Sequence, residues 1–321
     1  LTDDRKSGLL PPLVGIDSIS GMHVSQPYYF DIAPNRDATV NTHVMSKRGV
    51  AVDTEFRYLE PDYNGLLRLN LMPSDSLRKQ DRWGLSAQHQ GGIETGIDGV
   101  GRLGVGLNLN RVSDDNYWRD FSRSGQVLTQ RLLPTTGVMN WGRGGFSMTA
   151  QVQRWQTLQD VSSPITPPYD RAPQIVMRHN QWDANGWDFS TVADTTRFES
   201  DFSRIPGGTT AILRNGQRSF VNSQVSQPLM NNWGFVTPKL QMHATRYQLD
   251  TPLLDGSQAV NRVLPTFSLD SGLVLERDNN LFGRSLRQTL EPRAFYVYTP
   301  YRSQNDLPNY DTGFNDFNLA T

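Results

Sequence analysis

The sequence predicts an all-β chain, part of an antiparallel transmembrane β-barrel, and three observations carry that prediction. Apolar and polar residues alternate with a period of two along most of the 321 residues. Side chains alternate across a strand, so each such run has one apolar and one wet face. The runs are about ten residues long, as a tilted membrane strand requires, whereas soluble strands average nearer five or six. The third observation is composition: hydrophobic residues make up only 36%, yet there are 7 Trp, 11 Tyr, 14 Phe and 27 Gly. A soluble core of this size needs more apolar residues, and a disordered chain is poor in aromatics. A barrel meets both conditions, because its lumen faces water and its aromatics ring the membrane interfaces.

Taken in order, the first two strands are the apolar runs from Leu9 to Ile16 and from Met22 to Ile32. Both contain proline: Pro11 and Pro12 in the first, Pro27 in the second. Proline donates no ladder hydrogen bond and is normally kept out of strand interiors. Two readings stay open. These are ordinary edge strands or bulges, or they form a seam weakened so that it can part sideways. After the tight turn Ser46-Lys47-Arg48-Gly49, residues 50–58 put Val50, Val52, Phe56 and Tyr58 opposite Asp53, Glu55 and Arg57. Shorter alternations follow at Leu67/Leu69/Leu71 and Trp83/Leu85/Ala87, then longer ones over 103–110 and 146–153. In the last of these, Phe146, Met148, Ala150 and Val152 are expected to face lipid, with Ser147, Thr149, Gln151 and Gln153 facing the lumen.

Beyond the turn Asn231-Asn232-Trp233-Gly234, Leu240, Met242 and Ala244 mark another strand, and residues 288–300 read as the last. There Leu290, Ala294, Tyr296 and Tyr298 share one parity and Glu291 and Arg293 the other. An arginine facing lipid near the midplane costs roughly 2–4 kcal/mol, so Arg277, Glu291 and Arg293 are expected to form a lumenal or interfacial charge network. Long polar connections at 111–127, 159–173, 200–217 and 300–316 alternate with short turns, the outer-membrane pattern. At some 25 residues per strand and connection, the chain holds roughly a dozen strands.

Several chemistries find no support. A net charge of −1 offers no basic field for nucleic acid. Without cysteine there is no thiol catalysis or thiolate metal site, and the five histidines are too scattered for zinc. Gly99-Val100-Gly101-Arg102-Leu103-Gly104 matches a dinucleotide fingerprint, but a strand follows it where a helix is required. Asp278-Asn279-Asn280 lacks the ligand ladder of a calcium loop and reads as a turn. No G-x-S-x-G elbow occurs, and no catalytic residue, metal or cofactor is predicted. The opening from Leu1 to Lys6 leads into no signal-peptide run, and no stretch approaches the roughly 18 apolar residues of a spanning helix.

Asp4-Arg5-Lys6-Ser7-Gly8-Leu9-Leu10-Pro11-Pro12 and Gln26-Pro27-Tyr28-Tyr29-Phe30-Asp31-Ile32-Ala33-Pro34-Asn35 open a collinear set of motifs. It continues through Met45 to Gly49, Glu55 to Leu59, Val112 to Asp115, Asn231 to Gly234 and Val260 to Pro265. It ends at Gln288-Thr289-Leu290-Glu291-Pro292-Arg293-Ala294 and Tyr298-Thr299-Pro300-Tyr301-Arg302. In these motifs the chain resembles the LptD family of Gram-negative lipopolysaccharide-assembly proteins.

The resemblance implies a periplasmic β-jellyroll followed by a barrel of about twenty-six strands. Residues 1–321 would be the N-terminal portion of that barrel, with the jellyroll, the C-terminal half and the family's cysteines outside it. It further implies an integral outer-membrane protein that performs transport without catalysis. Lipopolysaccharide would arrive along periplasmic bridge proteins through the jellyroll, and an LptE-like lipoprotein would plug the barrel. The lipid would leave between the first and last strands into the outer-membrane lipids, through a lateral gate weakened at Pro12 and Pro27, with Pro11 an additional proline beside them. A passive porin-like channel and an outer-membrane barrel hydrolase are the alternatives.

Overall fold

The computed structural model describes residues 5–121, 128, 130–208, 213–253, 255–304 and 307–311. Asp4 and the stretch from Asn318 to Thr321 lie outside the described residues, as do parts of the long connections. The strands are β1 (Gly8–Leu9), β2 (Leu13–Asp17), β3 (Gly21–Ala33), β4 (Arg36–Met45), β5 (Gly49–Leu59) and β6 (Tyr63–Asp75). Next come β7 (Gln80–Glu94), β8 (Arg102–Val112), β9 (Leu132–Arg143), β10 (Phe146–Thr157), β11 (Asp170–Ala184) and β12 (Trp187–Glu199). The series closes with β13 (Gly216–Ser226), β14 (Leu229–Asn231), β15 (Gly234–Leu249), β16 (Ala259–Leu273), β17 (Leu275–Leu281), β18 (Arg284–Leu290) and β19 (Arg293–Tyr298). Seventeen of these segments join one antiparallel sheet, and β17 and β18 form a separate two-stranded ribbon. Thirteen segments reach ten residues or more, in line with the roughly dozen strands expected. The fold is that of a partial β-barrel. Residues 103–110 and 146–153 are strands, as the alternation predicts.

The chain divides into two compact units, one of residues 1–141, 150–173 and 199–212, the other of 142–149, 174–198 and 213–321. The boundaries fall within β9, β10 and β11, at the end of β12 and in the connection before β13. In the first unit the register keeps like faces together. Phe56 pairs with Leu67, Leu67 with Ala87 and Ala87 with Leu109, while Asp53 pairs with Asn70, Glu55 with Arg68 and Ser86 with Asn110. A one-residue slip would exchange the two faces, so the pattern fixes the register. The second unit repeats the arrangement, with Val221, Ala244 and Val263 in one row and Phe220, Thr245 and Arg262 in the next.

Two expectations about the end of the chain are corrected. The last sheet strand is β19, shorter than the 288–300 expected, because Gln288, Thr289 and Leu290 pair in the β17–β18 ribbon. Asp278-Asn279-Asn280 makes no turn; it lies within β17. The ribbon turns at Phe282 and Gly283, whose φ values of 54° and 76° give the left-handed pair that a two-residue hairpin favours. The chain reverses there because glycine takes that conformation at little cost.

Candidate functional site

Pro11 and Pro12 interrupt the first edge of the sheet. On either side of them Leu9 pairs with Tyr28 and Leu13 with Ser25, so three residues (Leu10, Pro11, Pro12) stand against two (Gln26, Pro27). That count is a bulge, the usual way to carry residues that cannot join the ladder. Pro27 lies inside β3 and pairs with Asn41 of β4, so on that side the strand runs on undisturbed. On the other side Leu10 N–H donates to Pro27 O at 3.0 Å, and no return donor exists on the proline. The three prolines are thus brought together at one break between the first two strands.

The charges at the other end are not brought together. Arg277 lies in the ribbon and donates to Gln288 Oε1 at 2.7 Å. Glu291 falls in the break between β18 and β19 and makes no ion pair among the described residues. Arg293 is on β19, on the face shared with Asp270, and its Nε donates to Asp270 Oδ1 at 2.8 Å with a second contact from Nη2. Alternation gave no partner for Arg293, because Asp270 lies on β16 across the ribbon insertion. Arg293→Ala is expected to lower the thermal midpoint of the folded protein by removing the Asp270 pair, as heat-modified gel mobility would measure; an unchanged midpoint would show that the pair contributes nothing to stability.

A larger charge cluster escapes the sequence altogether. Asp75, at the end of β6, accepts from Arg48 Nη2 at 2.6 Å and Arg82 Nη1 at 3.1 Å. Arg82 also binds Asp114 through Nε and Nη2, both at 2.9 Å, and Asp120 through Nη1 at 2.8 Å. Arg78 holds Asp120 from the other side at 2.8 and 2.9 Å. Three arginines thus balance three aspartates, and the side chains of Asp75 and Arg82 are 0% exposed. The connection after β8 supplies Asp114 and Asp120. Its described part makes a helical turn at Tyr117–Asp120 and packs against the sheet beside Gly84, Arg48 and Arg82. Phe121 stacks under Arg48 and Arg82, 4.4 and 4.8 Å from its ring centre. Val112, Tyr117, Leu128, Leu133 and Leu158 make an apolar core beside the charges. Gly84 leaves room for it: a Cβ there would stand 2.6 Å from the Tyr117 hydroxyl.

The chain matches the family model described as LPS transport system D over residues 80–321. Among curated relatives it is 52% identical to the LPS-assembly protein LptD of Polaromonas sp. (strain JS666) and 54% identical to that of Albidiferax ferrireducens, each over 100% of the chain. The chain belongs to the LptD family. It also aligns over its full length with the Ralstonia nicotianae LptD at 41% identity. It spans about two-fifths of the length of these relatives, 38% to 40%.

In this LptD-family chain, two of the resembling motifs, Met45 to Gly49 and Val112 to Asp115, supply Arg48 and Asp114 to the buried cluster. The motifs were legible in sequence, but the pairing was not. Asp120 lies outside the strands, and its carboxyl has a clear pH signature. Burial alone would raise its pKa, but hydrogen bonds from Arg78 and Arg82 outweigh burial and hold it below the ordinary carboxylate value. A lowered folded-state pKa contributes stability above the ordinary value that is lost as pH falls through the folded one. Protease access to residues 113–121 should therefore stay constant from about pH 7 to 5 and rise only below about 3.9. A rise near pH 6 would contradict this assignment.

Proposed function

We propose that the chain forms part of the wall of an outer-membrane translocon that delivers lipopolysaccharide to the outer leaflet. In this reading residues 1–321 are the N-terminal portion of the barrel, an integral outer-membrane protein. Its polar face lines the path of the sugars. The proline-broken edge, Pro11 and Pro12 against Pro27, is one side of a lateral gate for the lipid. The observation that carries the proposal is that edge: a bulge holding Pro11 and Pro12 against a strand that carries Pro27, three residues without N–H donors at one break. A passive porin-like channel has no use for such a break. An LptE-like lipoprotein would fill the lumen, and periplasmic bridge proteins would deliver substrate through a jellyroll domain. Arg293, paired with Asp270, would serve the stability of the wall and not substrate contact, while Arg277 in the ribbon and Glu291 beside it would share no network with it.

The polar face fits a solvated path. Asp37 pairs with Arg57 at 2.8 Å and Glu55 with Arg68 at 2.8 Å, while Asp53 takes bonds from His43 at 2.8 Å and Asn70 at 2.6 Å. Paired charges of this kind present hydrogen-bonding groups to sugars without a net field. The test is a photo-reactive residue at Asn70 or Asn108, both on the polar face, in the full-length protein in growing cells. Lipopolysaccharide should be captured at both positions while its synthesis continues, and capture should fall when synthesis is blocked. A passive channel would yield no such adduct.

A further inference from the structure

We infer that Gln26 supplies, from its side chain, the hydrogen bond that Pro27 cannot make, and so acts as a releasable latch on the first edge of the sheet. Leu9 pairs with Tyr28, which sets Leu10 opposite Pro27. Leu10 N–H donates to Pro27 O at 3.0 Å. In a hydrogen-bonded antiparallel pair the two residues exchange both bonds, so the return bond should run from residue 27 N–H to Leu10 O. A proline has no such hydrogen. In its place the Gln26 amide Nε2 stands 2.8 Å from Leu10 O and 3.1 Å from Pro27 O. One side-chain NH₂ thus bridges the two carbonyls across the seam.

The position of Gln26 has no other explanation in its surroundings. It shares the parity of Val24, Tyr28 and Phe30, the apolar face of β3, and is opposite Thr42 of β4. A primary amide on that face is costly unless it is hydrogen-bonded, and both of its bonds here go to the seam. A side-chain donor differs from a backbone one in a way that suits a seam meant to open. The backbone N–H is fixed by its strand. The glutamine amide is carried on rotatable bonds and can swing off Leu10 O without moving β3. The break left by Pro27 is therefore held closed by a group that can let go. Gln26 is a positioning residue for the first edge strand, the strand that in the gate reading given above parts from the last one, and its functional meaning rests on that reading.

The experiment uses the full-length protein in lipid vesicles and follows amide hydrogen exchange over residues 8–13, whose donors are Gly8, Leu9, Leu10 and Leu13 because Pro11 and Pro12 have none. Gln26→Met keeps the length of the side chain and suits the apolar face but cannot donate. It should raise exchange roughly two- to tenfold, the equivalent of one net hydrogen bond. Gln26→Asn, which keeps the amide but is too short to reach, should do the same. In a Pro27→Ala background the backbone N–H takes over, and Gln26→Met should change exchange little. An equal increase in both backgrounds would show that Gln26 acts by packing, and no increase in either would show no latch; each overturns the inference. Surface lipopolysaccharide measured in the same strains separates the two claims. If exchange follows the predicted pattern while delivery stays constant in every variant, the latch stands and the gate reading fails.

Discussion

Arg82→Met is expected to destabilise the barrel by about 3–5 kcal/mol, the cost of removing one partner from a buried charge cluster. Arg82 has no exposed side-chain surface and satisfies Asp75, Asp114 and Asp120 at once. Its loss leaves Asp75 to Arg48 and Asp120 to Arg78, but Asp114 loses both of its guanidinium bonds. The cluster then carries a net negative charge beside the rings of Tyr117 and Phe121 with less solvent to answer it. Arg82→Lys keeps the charge but replaces a planar fork with a single ammonium that cannot span three carboxylates, so an intermediate loss is expected. Urea unfolding of the full-length protein in lipid vesicles measures both. A loss below about 1 kcal/mol for Arg82→Met would place the cluster with exposed ion pairs. Local consequences should accompany the global one. The connection after β8 is tied down by Asp114 and Asp120, so its protease sites should open in Arg82→Met before the barrel unfolds.

Pro12→Ala/Pro27→Ala should leave folding intact and slow delivery of lipopolysaccharide to the cell surface. Each proline withholds one backbone donor, and a net hydrogen bond contributes roughly 0.5–1.5 kcal/mol. Two such bonds are small beside the stability of a large barrel. For a seam that must open transiently, about 1–3 kcal/mol changes the open population by roughly five- to a hundredfold. The two positions should not contribute alike. At Pro27 the acceptor Leu10 O is already bonded to Gln26, so the gain there is the difference between a fixed and a swinging donor. Pro12 lies in the bulge, outside the ladder with β3, and a restored N–H would instead serve the outer side of the edge. The measurement is surface lipopolysaccharide and antibiotic permeability at matched levels of folded protein. Unchanged delivery would reduce these prolines to ordinary edge-strand residues.

The sequence by itself determined the class of fold, most of the strands and which residues along a strand share a face. Val50, Val52, Phe56 and Tyr58 alternate with Asp53, Glu55 and Arg57 because side-chain direction along a strand is a local property with a period of two. The turn at Arg48 and Gly49 and the absent donors at Pro11, Pro12 and Pro27 are local for the same reason, and all were legible. Only the tertiary structure decided which residue stands across the gap from which. Arg48 meets Asp75 27 positions away, Arg82 meets Asp114 32 away, and Arg293 finds Asp270 across an inserted ribbon. Gln26 reads in sequence as one polar residue out of place on an apolar face. It acquires a purpose only when the register sets Leu10 opposite Pro27, because a hydrogen bond depends on a few tenths of an ångström between groups whose separation no local pattern encodes.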